Sequence, residues 1–270
     1  MRKFFTMMIS ITLCITMLAG CGSRDAYNLY QRMNSAMADV TSMDADMTIN
    51  MQMRMDGESI DMIMGGNVRT VVHSDTDIDM HMVLTTTIME EGFNESFTIT
   101  AYFTDGILYM EMPPFEIEGM EIDGIRMQQP MDLDEAMDMS NNIETLNFPE
   151  NAVLESSVES ISGGRRLEML VDGDAIPDIT EQMMAFMPDD MGLGHMDFDM
   201  SIGDIRIEVD VDNNNMLMSY RMVTDMTMEM YGYLTETTLD MTMTVNSFDD
   251  VVINFPDDLD DFPVMDGFGF

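Results

Sequence analysis

Apolar and polar residues alternate strictly along one long stretch near the start of the chain. From Met43 to Met55 every odd-numbered residue is apolar and every even-numbered residue is polar. Successive side chains of a β-strand point to opposite sides, so this period of two predicts a strand with one apolar side. A helix, with about 3.6 residues per turn, does not fit the pattern. The alternation recurs at Ile78–Leu84, Phe97–Phe103, Ile205–Val211, Met216–Met230 and Leu239–Val245.

These stretches predict a mainly β fold of the α+β class, built on an antiparallel sheet with one apolar side. Dipeptides typical of tight turns separate them: Asp56-Gly57, Asp105-Gly106, Asp172-Gly173 and Asn213-Asn214. Residues 44–68 and 225–248 also resemble each other, since each is a Met-rich strand, a turn and a second strand. An ancient duplication and the chance likeness of two alternating hairpins both explain this.

Three other segments space apolar residues three or four positions apart, which predicts amphipathic helices. They are 25–38, with Tyr30, Met33 and Met37 on one side; 132–147, with Leu133, Met137, Ile143 and Leu146; and a segment from about Asp174, with Ile176, Ile179, Met183 and Phe186, that ends at Pro188. We expect few helices and many strands.

The N-terminus has the features of a bacterial lipoprotein signal peptide. Arg2 and Lys3 precede an apolar run from Phe4 to Leu18, and Leu18-Ala19-Gly20-Cys21 matches the lipobox. The run is about 15 residues long, shorter than the roughly 20 that cross a bilayer. We therefore expect residues 1–20 to be cleaved, Cys21 to be lipidated at the head of a linker (21–24), and the protein to be anchored to the outer face of the bacterial cell membrane.

The charge and the rare residue types exclude several functions. The formal net charge is −40, so the basic surface that nucleic-acid binding needs is missing. Lys3 is the only lysine, and it lies in the signal peptide. With three histidines in the chain and no Gly-x-Ser-x-Gly motif, we expect no enzyme activity, no cofactor and no metal site. Cys21 would be the only cysteine after cleavage, so no disulfide within the chain is expected.

Several short motifs, in order, resemble a family of uncharacterised lipoproteins of Gram-positive bacteria. They are Ser42-Met43-Asp44-Ala45-Asp46-Met47, Gly65-Gly66-Asn67-Val68, residues 102–110, Val171-Asp172-Gly173 and Phe255-Pro256-Asp257-Asp258-Leu259. This family resembles the LolA/LolB and LppX/LprG lipoprotein carriers. The resemblance covers most of 25–262 and leaves 263–270 as a C-terminal tail. It implies a curved antiparallel sheet, an unclosed half-barrel, with helices on its concave face and a hydrophobic cavity between them.

Methionine, at 39 of 270 residues, is the most unusual feature of the composition. Its flexible, polarizable side chain suits surfaces that adapt to varied apolar ligands. We expect the chain to be a monomer that binds a lipid or another hydrophobic small molecule through a concave, methionine-lined cavity. The predicted lining residues are Met47, Met51, Met80, Met226 and Met228.

Two alternatives to ligand binding remain at this stage. The first is a structural or interaction lipoprotein whose own helices and methionines fill the concave face. The second is a copper-binding protein, because thioether and imidazole groups are ligands that suit copper. Met80, His81 and Met82 form the best cluster of this kind.

Overall fold

The structure is a computed structural model of the chain, and it describes residues 25–55, 57–74, 77–90, 93–117, 120–130, 149–175, 198–230 and 233–264. Within these ranges a helix, α1 (25–37), precedes the strands. The strands are β1 (Ser42–Met55), β2 (Glu58–Ser74), β3 (Asp77–Glu90), β4 (Phe93–Thr104), β5 (Ile107–Met112), β6 (Phe115–Ile117), β7 (Met120–Ile122), β8 (Ile125–Pro130), β9 (Val153–Ile161), β10 (Gly164–Val171), β11 (Phe198–Ile202), β12 (Ile205–Asp212), β13 (Leu217–Met230) and β14 (Tyr233–Phe248).

Twelve strands form one large sheet, in the order β8-β5-β4-β3-β2-β1-β14-β13-β12-β10-β9, with β11 beside β13. The strands of every neighbouring pair are antiparallel. In the described residues β8 and β9 do not pair with each other, so the sheet is open and not a closed barrel. This confirms the predicted mainly β fold with a large antiparallel sheet. Two of the three predicted helices, 132–147 and the one after Asp174, lie almost entirely outside the described residues.

Strand pairing places the alternating residues of successive strands on the same side of the sheet. Met47 lies opposite Gly66 on one neighbour and opposite Met243 on the other. Because directly paired residues share a side, the odd-numbered residues of β1 extend across the sheet as transverse apolar rows. The two similar hairpins, β1–β2 and β13–β14, are adjacent, with β1 hydrogen-bonded to β14.

A compact core lies near the β9 edge of the sheet, where α1 packs on β10 and β12. Ala26, Leu29, Tyr30 and Met33 of the helix are buried. The strand residues beneath them are also buried: Leu167, Met169, Val171, Ile205, Ile207, Val209 and Val211. The predicted first helix is therefore confirmed, and its apolar stripe covers this end of the sheet.

A bulge reverses the predicted orientation of residues at the start of β13. The period of two predicts that Met218 faces the core, but Leu217 is buried there and Met218 is 37% exposed. The pairing of β12 with β13 shifts by one residue at this point, from Asp210 opposite Ser219 to Val211 opposite Leu217. A bulge of this kind inverts the side chains beyond it, so the prediction for Met218 was wrong.

The turn dipeptides had different outcomes. Asp105 and Gly106 have φ values of +51° and +72°, as a two-residue hairpin turn of type I′ requires. Asp172-Gly173 does not form a hairpin, because Gly173 begins a short 3₁₀ helix, Gly173–Ala175. A turn that the sequence analysis missed joins β9 to β10 at Ser162-Gly163, where Gly163 has a φ of +91°.

The chain after β14 crosses to the polar side of the sheet and covers the opposite edge, at β5 and β8. Tyr109 of β5 is buried there beside Leu259 and Phe262. The guanidinium carbon of Arg126 lies 4.9 Å from the centre of the Phe262 ring, and Gln128 of β8 donates its backbone N–H to Pro263. This segment therefore shields part of the free edge of β8.

Candidate functional site: a methionine face

The apolar side of the five central strands is dominated by methionine. We call this surface, on β2, β1, β14, β13 and the adjoining β3, the methionine face. Its methionines lie on one side of the sheet by register. Met55, at the end of β1, is 50% exposed. The others are partly buried: Met43, Met47, Met51, Met53, Met62, Met64, Met80, Met82, Met222, Met226, Met228, Met241 and Met243.

All five predicted ligand-binding residues belong to this face, but they do not form one compact site. Met80 lies in the transverse row that contains Met43, whereas Met228 lies in the row that contains Met55. Twelve residues of β1 separate these rows, a distance of about 40 Å at about 3.3 Å per residue. A single small ligand therefore cannot contact both. Met47 and Met51 lie near the middle.

The sequence analysis missed the neighbours that surround this middle region. Met62 pairs directly with Met51, and Met243 pairs directly with Met47. Met64 and Met241 flank Ile49 from the two sides. The alternation of each strand indicated that these side chains face one way. Which strands lie next to β1 depends on the topology, and this was not evident from any one segment.

Methionine is concentrated on the partly buried surface and is scarce in the buried core. The largest fully buried side chains are Leu29, Leu167, Met169, Ile205, Ile207, Val171, Val209 and Val211, and only one of these eight is a methionine. A chain that used methionine merely as core filler would place it in the core as well. The segregation indicates that its flexible thioether is used where the surface is not rigidly packed.

The candidate copper cluster is not assembled. Met80 and Met82 lie on the methionine face, but His81 lies on the opposite side, where its ring stacks on Tyr102 with centroids 4.8 Å apart. Because side chains alternate along β3, His81 must lie on the opposite side of the sheet from Met80 and Met82. Burial and the nearby Arg69 charge lower the pKa of the His81 imidazole. In the ranges that the structure describes, no three His, Cys, Asp or Glu side chains are placed to hold a metal ion.

A groove of about 360 Å³ lies at the margin of the sheet, between the turn before β13 and the end of β14. Met216, Met218, Val245 and Phe248 contribute apolar surface, and Asp212 lies at the turn. None of the five predicted ligand-binding residues lines this groove. Met226 packs against the core under α1, and the other four residues are partly buried on β1, β3 and β13.

The polar side of the sheet carries arginine–carboxylate pairs between neighbouring strands. Arg166 donates to both Asp210 oxygens at 2.7 and 2.8 Å, and these hydrogen bonds lower the pKa of the Asp210 carboxyl. Arg221 forms the same kind of bidentate pair with Asp240. Neighbouring strands with repeated Met-x-Met patterns could shift by two residues against each other and keep the same apolar side. The arginine–carboxylate pairs form in one register only, so they oppose such a shift.

The predicted lipidation site, Cys21, and the signal peptide (1–20) lie outside the described residues. In the part of the chain that the structure covers, no helix is both long and apolar enough to span a membrane.

The chain belongs to the family described as "Family of unknown function (DUF6612)", whose sequence profile matches residues 25–261. No curated protein matches it.

Three solved structures are similar at low levels. A DUF1329 family protein from Desulfovibrio piger is 11% identical with a TM-score of 0.27, covering 86% of this chain and 95% of its own. A β-barrel-like DUF1849 protein from Brucella abortus is 10% identical with a TM-score of 0.20, covering 77% and 100%. A putative outer membrane lipoprotein-sorting protein domain from Vibrio parahaemolyticus is 10% identical with a TM-score of 0.21, covering 90% and 97%. Similarity at this level says nothing about the function of this chain.

Proposed function

We propose that this protein is a membrane-anchored, extracytoplasmic and non-catalytic lipoprotein that binds a lipid or another hydrophobic molecule on its methionine face. The observation that carries the proposal is the segregation of methionine. The covered end of the sheet is built from leucine, isoleucine and valine, whereas the partly buried central strands are built from methionine. Rigid branched side chains suit a fixed core, and flexible thioethers suit a surface that adapts to its ligand.

The energetics favour an occupant for this face. Apolar surface left in water costs about 25 cal/mol per Å², and the central strands are 14 to 17 residues long. A ligand that covers Met51, Met62 and their neighbours removes this cost, and it stabilises the folded protein by an amount that grows with the logarithm of ligand concentration above its Kd. The sequence resemblance to lipoprotein carriers agrees with an acyl chain as the ligand.

Binding of a fluorescent fatty acid to the purified protein tests the proposal. We expect saturable binding by the wild type, with a rise in melting temperature. Met51→Asp places a carboxylate in the middle of the methionine face and is expected to abolish binding. Asn50→Asp adds the same charge to the other side of the same strand and is expected to leave binding unchanged. No saturable binding of several lipid classes by a folded wild type would favour the structural alternative.

The membrane anchor has its own test. We expect Cys21→Ser to leave an unlipidated, full-length precursor, because the lipobox cysteine supplies the sulfur that carries the lipid. Metabolic labelling with a radioactive fatty acid measures this. Equal labelling of the wild type and the variant would contradict the lipidation of Cys21.

A further inference from the structure

The methionines that the structure describes fall into three exposure classes. Met33 and Met169 are 5% and 2% exposed in the core, whereas Met55 and Met218 are 50% and 37% exposed. The methionines of the methionine face, apart from Met55, lie between these limits, since each of these residues is partly buried. Leucine would supply similar volume and apolar area at these positions. Besides its flexibility, methionine differs from leucine there in carrying an oxidisable sulfur.

We propose that the methionine face consumes hydrogen peroxide, and that its oxidation switches the face from apolar to polar. The second part rests on the proposed function. The sulfur lone pair attacks one oxygen of hydrogen peroxide, the O–O bond breaks and an S–O bond forms. The transferred oxygen gives its proton to the departing hydroxide, which becomes water. The thioether becomes a sulfoxide, and the peroxide is reduced by two electrons to water.

The placement of the thioethers makes this reaction tolerable for the fold. Susceptibility of methionine follows its exposure, so oxidation is directed away from Met33 and Met169. Met222, Met226 and Met243 pack against the core, so the reaction is best tolerated at the methionines of the face that do not, such as Met51, Met64, Met82 and Met241. The core beneath α1 depends mainly on Leu167, Ile205, Ile207 and Val209, which have no oxidisable group. β1 and β2 are joined by backbone hydrogen bonds, and oxidation of methionine side chains does not remove these bonds.

The consequence for binding follows from the chemistry of the product. A sulfoxide is polar, so each oxidised residue reduces the apolar character of the face. Met51, Met62, Met64 and Met241 are neighbours across three strands, and oxidation of the group would interrupt the apolar surface at its centre. The step is reversible, because methionine sulfoxide reductases restore the thioether.

Peptide mapping by mass spectrometry during treatment with hydrogen peroxide tests the first part. We expect Met51, Met64, Met82 and Met241 to oxidise about tenfold faster than Met33 and Met169, following their exposure. Met55 and Met218 serve as exposed references. Oxidation of the face as slow as that of Met33 and Met169 would overturn the proposal, whether or not the protein binds lipid.

A matched variant tests the switch. Met51→Leu, Met64→Leu, Met82→Leu and Met241→Leu, combined, keep the apolar area and remove the sulfur atoms. After peroxide treatment, with circular dichroism showing that both proteins remain folded, we expect the wild type to lose fatty-acid binding and retention on a phenyl matrix. The variant retains the other methionines of the face, so it should lose a smaller share of both than the wild type. Unchanged retention of the oxidised wild type on the phenyl matrix would overturn the switch. This measurement does not depend on the proposed function, because retention requires no bound ligand. Absence of fatty-acid binding before oxidation would count against the proposed function alone.

Discussion

The two ends of the apolar side differ in composition and burial, although one sheet contains both. Under α1, Ile207 is fully buried between Met169 and Met222. Farther along the same transverse row, Met241, Ile49 and Met64 are only partly buried. Both stretches alternate with the same period, so secondary structure is not the cause. The difference is that, among the described residues, a helix packs on the first stretch and none packs on the second.

Large-to-small substitutions at the two ends should reveal the largest difference. We expect Ile207→Ala to lower the free energy of unfolding by about 4 kcal/mol, because it leaves a cavity in a rigid core. Met64→Ala, in the same row but on the methionine face, should cost only about 1 kcal/mol. Urea denaturation measures both. Equal losses would contradict the distinction between a packed end and an adaptable face.

A pair of adjacent glycines sharpens the comparison within the methionine face. A Cβ at Gly66 would collide with the backbone carbonyl of Val83 on β3, whereas at Gly65 the nearest atoms would lie 3.9 Å away. Gly66→Ala must push β2 from β3 and should cost about 3 kcal/mol. Gly65→Ala should change stability by less than about 1 kcal/mol, because it makes ordinary contacts. Similar unfolding midpoints in urea for the two variants would show that the strands do not approach closely at Gly66.

The smallest expected effect concerns the polar side near the packed end. Arg166 lowers the folded-state pKa of Asp210 below its unfolded value, so the pair stabilises the protein at neutral pH. This contribution, about 1 kcal/mol, is lost as the pH falls through the folded-state pKa. Asp210→Asn should be less stable than the wild type at pH 7, and the difference should shrink in acid.

Thermal denaturation between pH 7 and pH 3 measures this difference. The control is Asp46→Asn, since Asp46 accepts a hydrogen bond from Asn67 and not from an arginine. A difference between Asp210→Asn and the wild type that is constant over this range would contradict the role of the pair.

The sequence was sufficient to predict seven of the fourteen strands described, β1 to β4 and β12 to β14, and the side that most of their apolar residues face. From Met43 to Met53 the odd-numbered residues are buried or partly buried, as the period of two requires. The bulge near Leu217 was not predictable, because it depends on how β12 pairs with β13. The two regions of the apolar side were also indistinguishable by pattern. Alternation shows that a strand has an apolar side, and only the fold determines what packs against it.

The central claim is that apolar ligands bind the methionine face, and methionine methyl groups allow it to be tested residue by residue. In protein labelled with carbon-13 at the methionine methyls, nuclear magnetic resonance can follow a titration with a fatty acid. We predict saturable shifts for Met47, Met51, Met62 and Met241, and no change for Met33 and Met169. Shifts confined to Met216 and Met218, beside the marginal groove, or no saturable shift at all, would contradict the account.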